Sequence, residues 1–223
     1  MAGICIFAAS SPNIDDKYIA AAESFGHVLF EVGDEALAAA RVGVAAVHEA
    51  VHERIFDLIF GGGRTGLMGA CARGVYSKGG RIVGVIPEKL NQPGIPFEHC
   101  SEMIVTKDMH ERKATMERLS SGFVTLPGGV GTLEELMEVL TLNQLGYIDA
   151  PVVIFNQDGF YDNLLAQFDA LAKAGFMHTE CLKLFSVAAT PEEAIEKLIG
   201  FRKAKLPDKI KEAVKGHEEH SAG

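Results

Sequence analysis

Two glycine-rich segments carry the residue types that could hold a phosphate group. The first is GGGRTGLMG, residues 61–69, and the second is PGGVGTLE, residues 127–134. Each follows an apolar run and opens a helical pattern. Glycines allow a tight turn and a close approach of the backbone to a ligand. The free N–H groups and the positive dipole end of the helix behind each segment favour an anion.

Neither segment is a Walker A loop, because no Gly-Lys-Ser/Thr follows. The first matches a dinucleotide fingerprint only loosely, since no acidic residue stands at a strand end about 20 residues on. A tight turn between a strand and a helix explains each segment taken alone. Two such segments in one short domain favour phosphate binding. Thr132 could add a hydroxyl donor or cap its helix.

Charged residues near these segments could do chemistry. Glu134 and Glu135 lie in the first turn of a helix, where the dipole alone accounts for at least one carboxylate. The other could stabilise an oxocarbenium-like state or activate a water during hydrolysis at an anomeric carbon. Arg112, in the segment DMHERK at residues 108–113, could hold an anion with its bidentate fork. A solvated charged face remains the alternative for that segment.

Composition limits the classes of function. The 223 residues carry a formal net charge of −9, which argues against a nucleic-acid surface. The four cysteines form no CxxC pair, so we expect free buried thiols rather than a metal site or disulfides. We identify no signal peptide and no apolar stretch near the roughly 20 residues that span a bilayer, and so expect a cytoplasmic protein without membrane partners.

The elements that must position these residues alternate along the chain. Short apolar runs predict strands at residues 4–8, 57–60, 81–86, 103–105, 122–126, 152–155 and 185–188. Helical patterns occupy residues 34–54, 67–77, 109–119, 133–145, 160–174 and 192–201. We expect two helices within residues 15–53, broken near residues 26–33.

This alternation predicts an α/β fold, a Rossmann-like doubly wound parallel sheet with helices on both faces. We assign residues 1–202 to a single nucleotide-binding domain and residues 203–223 to a charged tail.

Three motifs in this order resemble the LOG family. They are GGGRTGLMG at residues 61–69, MHERK at 109–113 and PGGVGTLEE at 127–135. Members are cytokinin riboside 5′-monophosphate phosphoribohydrolases, bacterial relatives cleave AMP, and the family was long labelled lysine decarboxylase-like. The resemblance covers residues 60–201, with a weaker match at 4–12. It implies a Rossmann-like homodimer, with the site near the dimer interface, that needs no cofactor and no metal.

The resemblance also implies roles for single residues. The catalytic pair would be Arg112 and Glu134, and Lys113 would contact the substrate. Thr141 would complete the site one helix further on. The remaining substrate-binding positions belong to the loops: Ser10, Gly62, Gly63, Gly66, Gly128, Gly129, Val130, Gly131 and Thr132.

Departures from the family pattern leave the base preference open. Gly94 stands where plant members carry a glutamate, which Glu98 could replace, and Leu142 stands where the family has tryptophan. The stretch from Ser11 to Gly61 is longer than usual by roughly one helix. The sequence therefore favours a phosphoribohydrolase acting on a purine or cytokinin nucleotide.

Two other functions are alternatives to hydrolysis. A non-catalytic carrier of a nucleotide or of molybdenum cofactor is the alternative, against which Arg112 and Glu134 count. A decarboxylase using pyridoxal phosphate needs a Schiff-base lysine with a suitable partner. No lysine stands in such a setting, and Lys113 is better explained as an anion contact.

Overall fold

The chain folds around one parallel sheet. The computed structural model describes residues 2–42 and 56–203. Each of the seven apolar runs forms a strand, as predicted. Helices on the faces of the sheet bury the inner strands, whereas the edge strands at residues 102–106 and 186–188 are only partly buried. The strands are β1 (Ala2–Phe7), β2 (Phe56–Phe60), β3 (Ile82–Pro87), β4 (Glu102–Thr106), β5 (Ser120–Thr125), β6 (Val152–Phe155) and β7 (Ser186–Ala188).

Six α-helices are seen in the described ranges, and they cover both faces of the sheet. They are α1 (Asp16–Val42), α2 (Gly66–Ser77), α3 (Met109–Arg118), α4 (Val130–Leu145), α5 (Asp162–Lys173) and α6 (Pro191–Ile199). One apolar core lies between the sheet and α1, α2 and α6. The second lies between the sheet and α3, α4 and α5. The predicted α/β class, a Rossmann-like doubly wound sheet, is confirmed.

The strand order places a crevice at the centre of the sheet. The order is β4-β3-β2-β1-β5-β6-β7, and every pairing is parallel. The chain therefore runs outward from β1 to β4 and then crosses to β5 on the other side of β1. Ligands of open α/β sheets bind outside the carboxyl ends of the strands at such a reversal. The segment PGGVGTLE directly follows β5 at this point.

The expected break near residues 26–33 is wrong, because α1 runs without interruption from Asp16 to Val42. Gly26 instead lets α1 approach α2 closely, since a Cβ there would lie 2.9 Å from the backbone nitrogen of Val75. The glycine serves helix packing and does not end the helix. The helix predicted at residues 34–54 extends beyond Val42, and that part of it lies outside the described residues.

The four cysteines are free thiols, as expected. Burial raises the pKa of the Cys71 thiol to about 12 and that of Cys100 to about 11. In the ranges 2–42 and 56–203, no helix is long and apolar enough to cross a bilayer. The predicted tail lies, beyond residue 203, outside the described residues.

Candidate active site

A buried ion pair joins α3 to α4. The Arg112 Nη1 donates to Glu135 Oε1 at 3.0 Å, and the Arg112 Nε donates to the Val85 carbonyl at 3.2 Å. Each member of the pair is only 6% exposed. Burying two charges costs several kcal/mol, which good geometry can only partly recover. A pair kept dry at this cost marks a candidate functional site.

Local sequence fixes where Arg112 points. The Asp108 carboxylate caps α3 by accepting from the Glu111 N–H at 2.9 Å, so the helix begins at Met109. Arg112 then falls on the face of α3 that meets the sheet, beside the end of β3. The solvated face that was the alternative for this segment does not include Arg112.

The glutamate that contacts Arg112 is Glu135 and not Glu134, the residue that the sequence assigned to the catalytic pair. Glu135 is the last residue of the motif PGGVGTLEE, and Glu134 is the residue before it. Successive helical side chains point about 100° apart. The Glu134 side chain is accordingly 52% exposed and pairs with Lys113.

Burial raises the pKa of the Glu135 carboxyl above its usual range, and the Arg112 charge and hydrogen bond oppose this rise. Burial of a carboxyl favours its neutral form, whereas a guanidinium at hydrogen-bond distance favours the anion. Arg112 therefore helps Glu135 to stay ionised in a dry environment. An ionised carboxylate there can stabilise a developing positive charge more strongly than one in water.

Lys113 belongs to a cluster of carboxylates on the outer side of this pair. Its Nζ contacts Glu134 and lies 2.7 Å from Glu138 Oε2. Burial lowers the Lys113 pKa, but the two carboxylates outweigh it and raise the pKa. Burial, with Glu138 nearby, raises the pKa of Glu117 to about 7. The Lys113 charge predicted to contact substrate is thus already compensated by protein. Within the described ranges, no group of three or more His, Cys, Asp or Glu residues could hold a metal ion.

The second glycine segment presents an open helix start. No side chain caps α4, whose N-cap is Gly129 in an extended conformation. A Cβ at Gly129 or Gly131 would meet nothing within 4 Å. Free N–H groups at a helix start facing open space are suited to bind an anion. Val130, 85% exposed, flanks this space.

Protein contacts brace this segment from behind. Thr132 is 5% exposed and lies against Gly128, where any Cβ would overlap it. The buried Tyr161 hydroxyl donates to the Leu126 carbonyl at 2.8 Å, and the Gly128 N–H faces the same hydroxyl. Sequence reasoning missed Tyr161. The only signal was its place shortly after β6, at the same edge of the sheet.

Other parts of the protein occupy the space in front of the first glycine segment. The Met68 N–H, in the first turn of α2, donates to the Ala9 carbonyl at 3.1 Å. The Thr65 hydroxyl donates to the Ser10 carbonyl at 2.7 Å, and Gly66 lies against the backbone of residues 9–11.

The other glycines of this segment face sulfur atoms. A Cβ at Gly62 would lie 3.2 Å from Met103 Sδ, and one at Gly63 would lie 3.3 Å from Met68 Sδ. The Ala9 N–H donates to the Pro127 carbonyl at 3.2 Å, so the loop after β1 contacts both glycine segments. The first segment packs against this loop, whereas the helix start behind the second stays open.

Thr141 lies in α4 itself, the helix that carries Glu135, and not one helix further on. Its exposed hydroxyl donates to the Met137 carbonyl at 2.7 Å. Six residues of helix put its backbone about 9 Å along the axis from that of Glu135. The structure thus does not join Thr141 directly to the buried pair. Gly94, the other departure, lies on the surface at φ 86° with nothing within 4 Å of a built Cβ.

Comparison with known proteins identifies the family. A family model described as "Possible lysine decarboxylase" matches residues 68–198. Over 176 residues the chain is 42% identical to a rice protein (Oryza sativa subsp. japonica) named probable cytokinin riboside 5′-monophosphate phosphoribohydrolase LOGL1. This match covers 78% of the chain and 79% of the rice protein. The chain belongs to the LOG family.

A second LOG relative, from Arabidopsis thaliana, matches more of the chain. It is the cytokinin riboside 5′-monophosphate phosphoribohydrolase LOG4, 37% identical over 195 residues, or 87% of this chain and 80% of that protein.

Solved structures share the fold of this LOG-family chain. A structural-genomics target solved by X-ray crystallography has a TM-score of 0.64 at 19% identity and covers 90% of this chain and 100% of that one. The molybdenum cofactor carrier protein from Chlamydomonas reinhardtii has a TM-score of 0.58 at 19% identity, covering 90% of this chain and 99% of that one. At these identities the likeness is one of fold alone.

Proposed function

We propose that this LOG-family protein hydrolyses the N-glycosidic bond of a purine or cytokinin nucleoside 5′-monophosphate, AMP among them, to free base and ribose 5-phosphate. The observation that carries the proposal is the dry Arg112–Glu135 pair one turn inside α4, behind its open and uncapped start. The names of the rice and Arabidopsis relatives support the same reaction.

In this proposal the substrate phosphate binds the N–H groups of residues 130–132, and the sugar lies over Glu135. The C1′–N bond breaks with its electron pair leaving on the base. A water oxygen bonds to C1′, and the proton that this water loses ends on the base nitrogen. Arg112 donates a hydrogen bond to Oε1 of Glu135. We therefore propose that Oε2 contacts the sugar cation and the attacking water.

Neither alternative function has an observation in its favour. The likeness to the molybdenum cofactor carrier is one of fold, and a carrier has no need for a dry Arg112–Glu135 pair. A Schiff base with pyridoxal phosphate needs an accessible lysine. Lys113 is 12% exposed and held by two carboxylates.

We further propose that the protein acts in the cytoplasm as a homodimer. Apolar side chains on the outer face of α4 support the dimer, because Met137 is 36% and Leu145 is 42% exposed. Light scattering during gel filtration should give twice the 23.9 kDa chain mass. A mass of one chain at working concentrations would contradict it.

The activity is tested with purified protein and three substrates: AMP, isopentenyladenosine monophosphate and unphosphorylated adenosine. We expect free base and ribose 5-phosphate in equal amounts from at least one nucleotide. Adenosine should react far more slowly because it lacks the group that α4 binds. No base from either nucleotide at high enzyme concentration would overturn the proposal, and equal rates with adenosine would overturn the phosphate site.

A further inference from the structure

Gly61 is the first residue after β2, and its backbone does not explain why it is a glycine. Its φ is not positive, whereas those of Gly62 and Gly66 are. The reason lies in its surroundings. A Cβ at Gly61 would overlap Arg112 Nη2 and would lie 2.9 Å from Arg112 Cζ. The space that a side chain would occupy is filled by the guanidinium.

Two hydrogen bonds and burial hold the guanidinium in place. Nε is bonded to the Val85 carbonyl and Nη1 to Glu135, and the side chain is 7% exposed. A methyl group at Gly61 would push the planar group away from the end of β2. Because the group is rigid, this shift would stretch at least one of the two bonds.

We propose that Gly61 is a positioning residue for the Arg112–Glu135 pair, and that its missing side chain forms the third wall of the guanidinium site. The first glycine segment thereby contributes to catalysis through Arg112 and not by touching the phosphate. This inference rests on the proposed function for its effect on rate, but its geometric core can be tested without activity.

The experiment is a double-mutant cycle with Gly61→Ala and Arg112→Lys. Lysine has no Nη2 for the methyl group to displace, yet it keeps a positive charge near Glu135. Gly61→Ala alone should lower kcat about 10- to 100-fold with little change in KM, as expected for a misplaced catalytic group. Added to Arg112→Lys, it should lower kcat by no more than about twofold, because neighbours that act as a unit are not additive.

The same cycle is measured in the denaturation midpoint, which needs no activity. Gly61→Ala should lower the midpoint in the Arg112 protein and lower it much less in the Arg112→Lys protein. Additive losses in both kcat and midpoint would overturn the proposal, as would unfolding of both Gly61→Ala proteins. If the wild-type protein had no activity, the proposed function would be refuted. The denaturation midpoints of the same four proteins would still test the contact between Gly61 and Arg112.

The pH profile of kcat/KM gives a readout that a purely structural role would not move. Glu135 faces Arg112 and Lys113 of α3, Glu134 of its own helix, and the buried Cys5 thiol of β1. Moving the guanidinium away raises the Glu135 pKa, so the acidic limb should shift to higher pH in Gly61→Ala. An unshifted limb together with a lower kcat would contradict the proposal.

Discussion

Glu134 and Glu135 are adjacent in α4, but their side chains point in different directions and have different partners. The two residues have the same chemistry and adjacent positions, so composition and helix-dipole arguments treat them alike. In the structure one bonds a buried arginine and the other pairs with Lys113 near solvent. Sequence reasoning predicted the helix and assigned Arg112 and Glu134 to the catalytic pair. The glutamate that contacts Arg112 in the structure is Glu135, 23 residues further along the chain.

Glu117 should make the stability of the fold depend on pH. Its pKa is about 7 in the folded chain, against an ordinary 4.5, so the folded state binds the extra proton between these values. Stability therefore falls as pH rises from about 4.5 to 7. Glu117→Gln removes this loss. We expect the variant to be more stable than wild type by about 1 kcal/mol at pH 8, after allowing for partial exposure.

Thermal unfolding of both proteins at pH 5 and pH 8 checks this prediction. At pH 5 the two melting temperatures should nearly coincide, because Glu117 is then mostly protonated. An equal gap at both pH values would mean that the Glu117 charge is not the cause.

The start of α4 has no side-chain cap. Asp108 caps α3 and Thr190 caps α6, whereas α4, like α2 and α5, begins without a side-chain hydrogen bond. A missing cap leaves N–H groups free, which costs stability but suits a phosphate.

Gly129→Asp should therefore stabilise the fold and weaken binding of the nucleotide. The extended backbone at Gly129 suits an N-cap, and the new carboxylate would occupy the amides. We expect a gain of about 0.3–1 kcal/mol in the free energy of unfolding. The KM for the nucleotide should rise at least about tenfold, because carboxylate and phosphate repel and compete. Denaturant titration and steady-state kinetics measure the two effects. Gly129→Ala, which adds no charge, should raise KM less.

Close contact of α1 and α2 explains a glycine that looked like a helix breaker. Helix propensity alone would make Gly26→Ala stabilising by about 1 kcal/mol. The new methyl group would instead meet the backbone of α2, which cannot move aside as a side chain can. We expect a net loss of about 1–3 kcal/mol from overpacking. The kcat of the remaining folded protein should not change. A rise in the denaturation midpoint would show that the helices can separate at no cost.

The fold was largely predictable because buried parallel strands leave a simple signal. Each strand is a short continuous apolar run between helical patterns, and the order of these patterns implies a parallel sheet. The place of the second glycine segment after β5 followed from the same logic. These features depend on local sequence and on rules that every doubly wound sheet obeys.

Long-range contacts were not predictable from single segments. Both glycine segments have the composition of phosphate loops, yet residues 9–11 fill the first and leave the second open. Gly26 faces a helix more than 40 residues away in sequence. Tyr161 supports Leu126 across 35 residues. Each of these facts depends on how distant parts of the chain meet.

Glu135, held by Arg112, is the carboxylate that we propose acts on the nucleotide. The most direct test compares the base-release kcat of Glu135→Gln and Glu134→Gln, with melting temperatures to confirm that both fold. Glu135→Asp, which keeps the charge at a shorter reach, serves if Glu135→Gln does not fold. We predict a loss of at least about 100-fold for the Glu135 variant, and a change within about threefold for Glu134→Gln. The reverse order, with Glu134→Gln inactive and Glu135→Gln active, would contradict the assignment of Glu135.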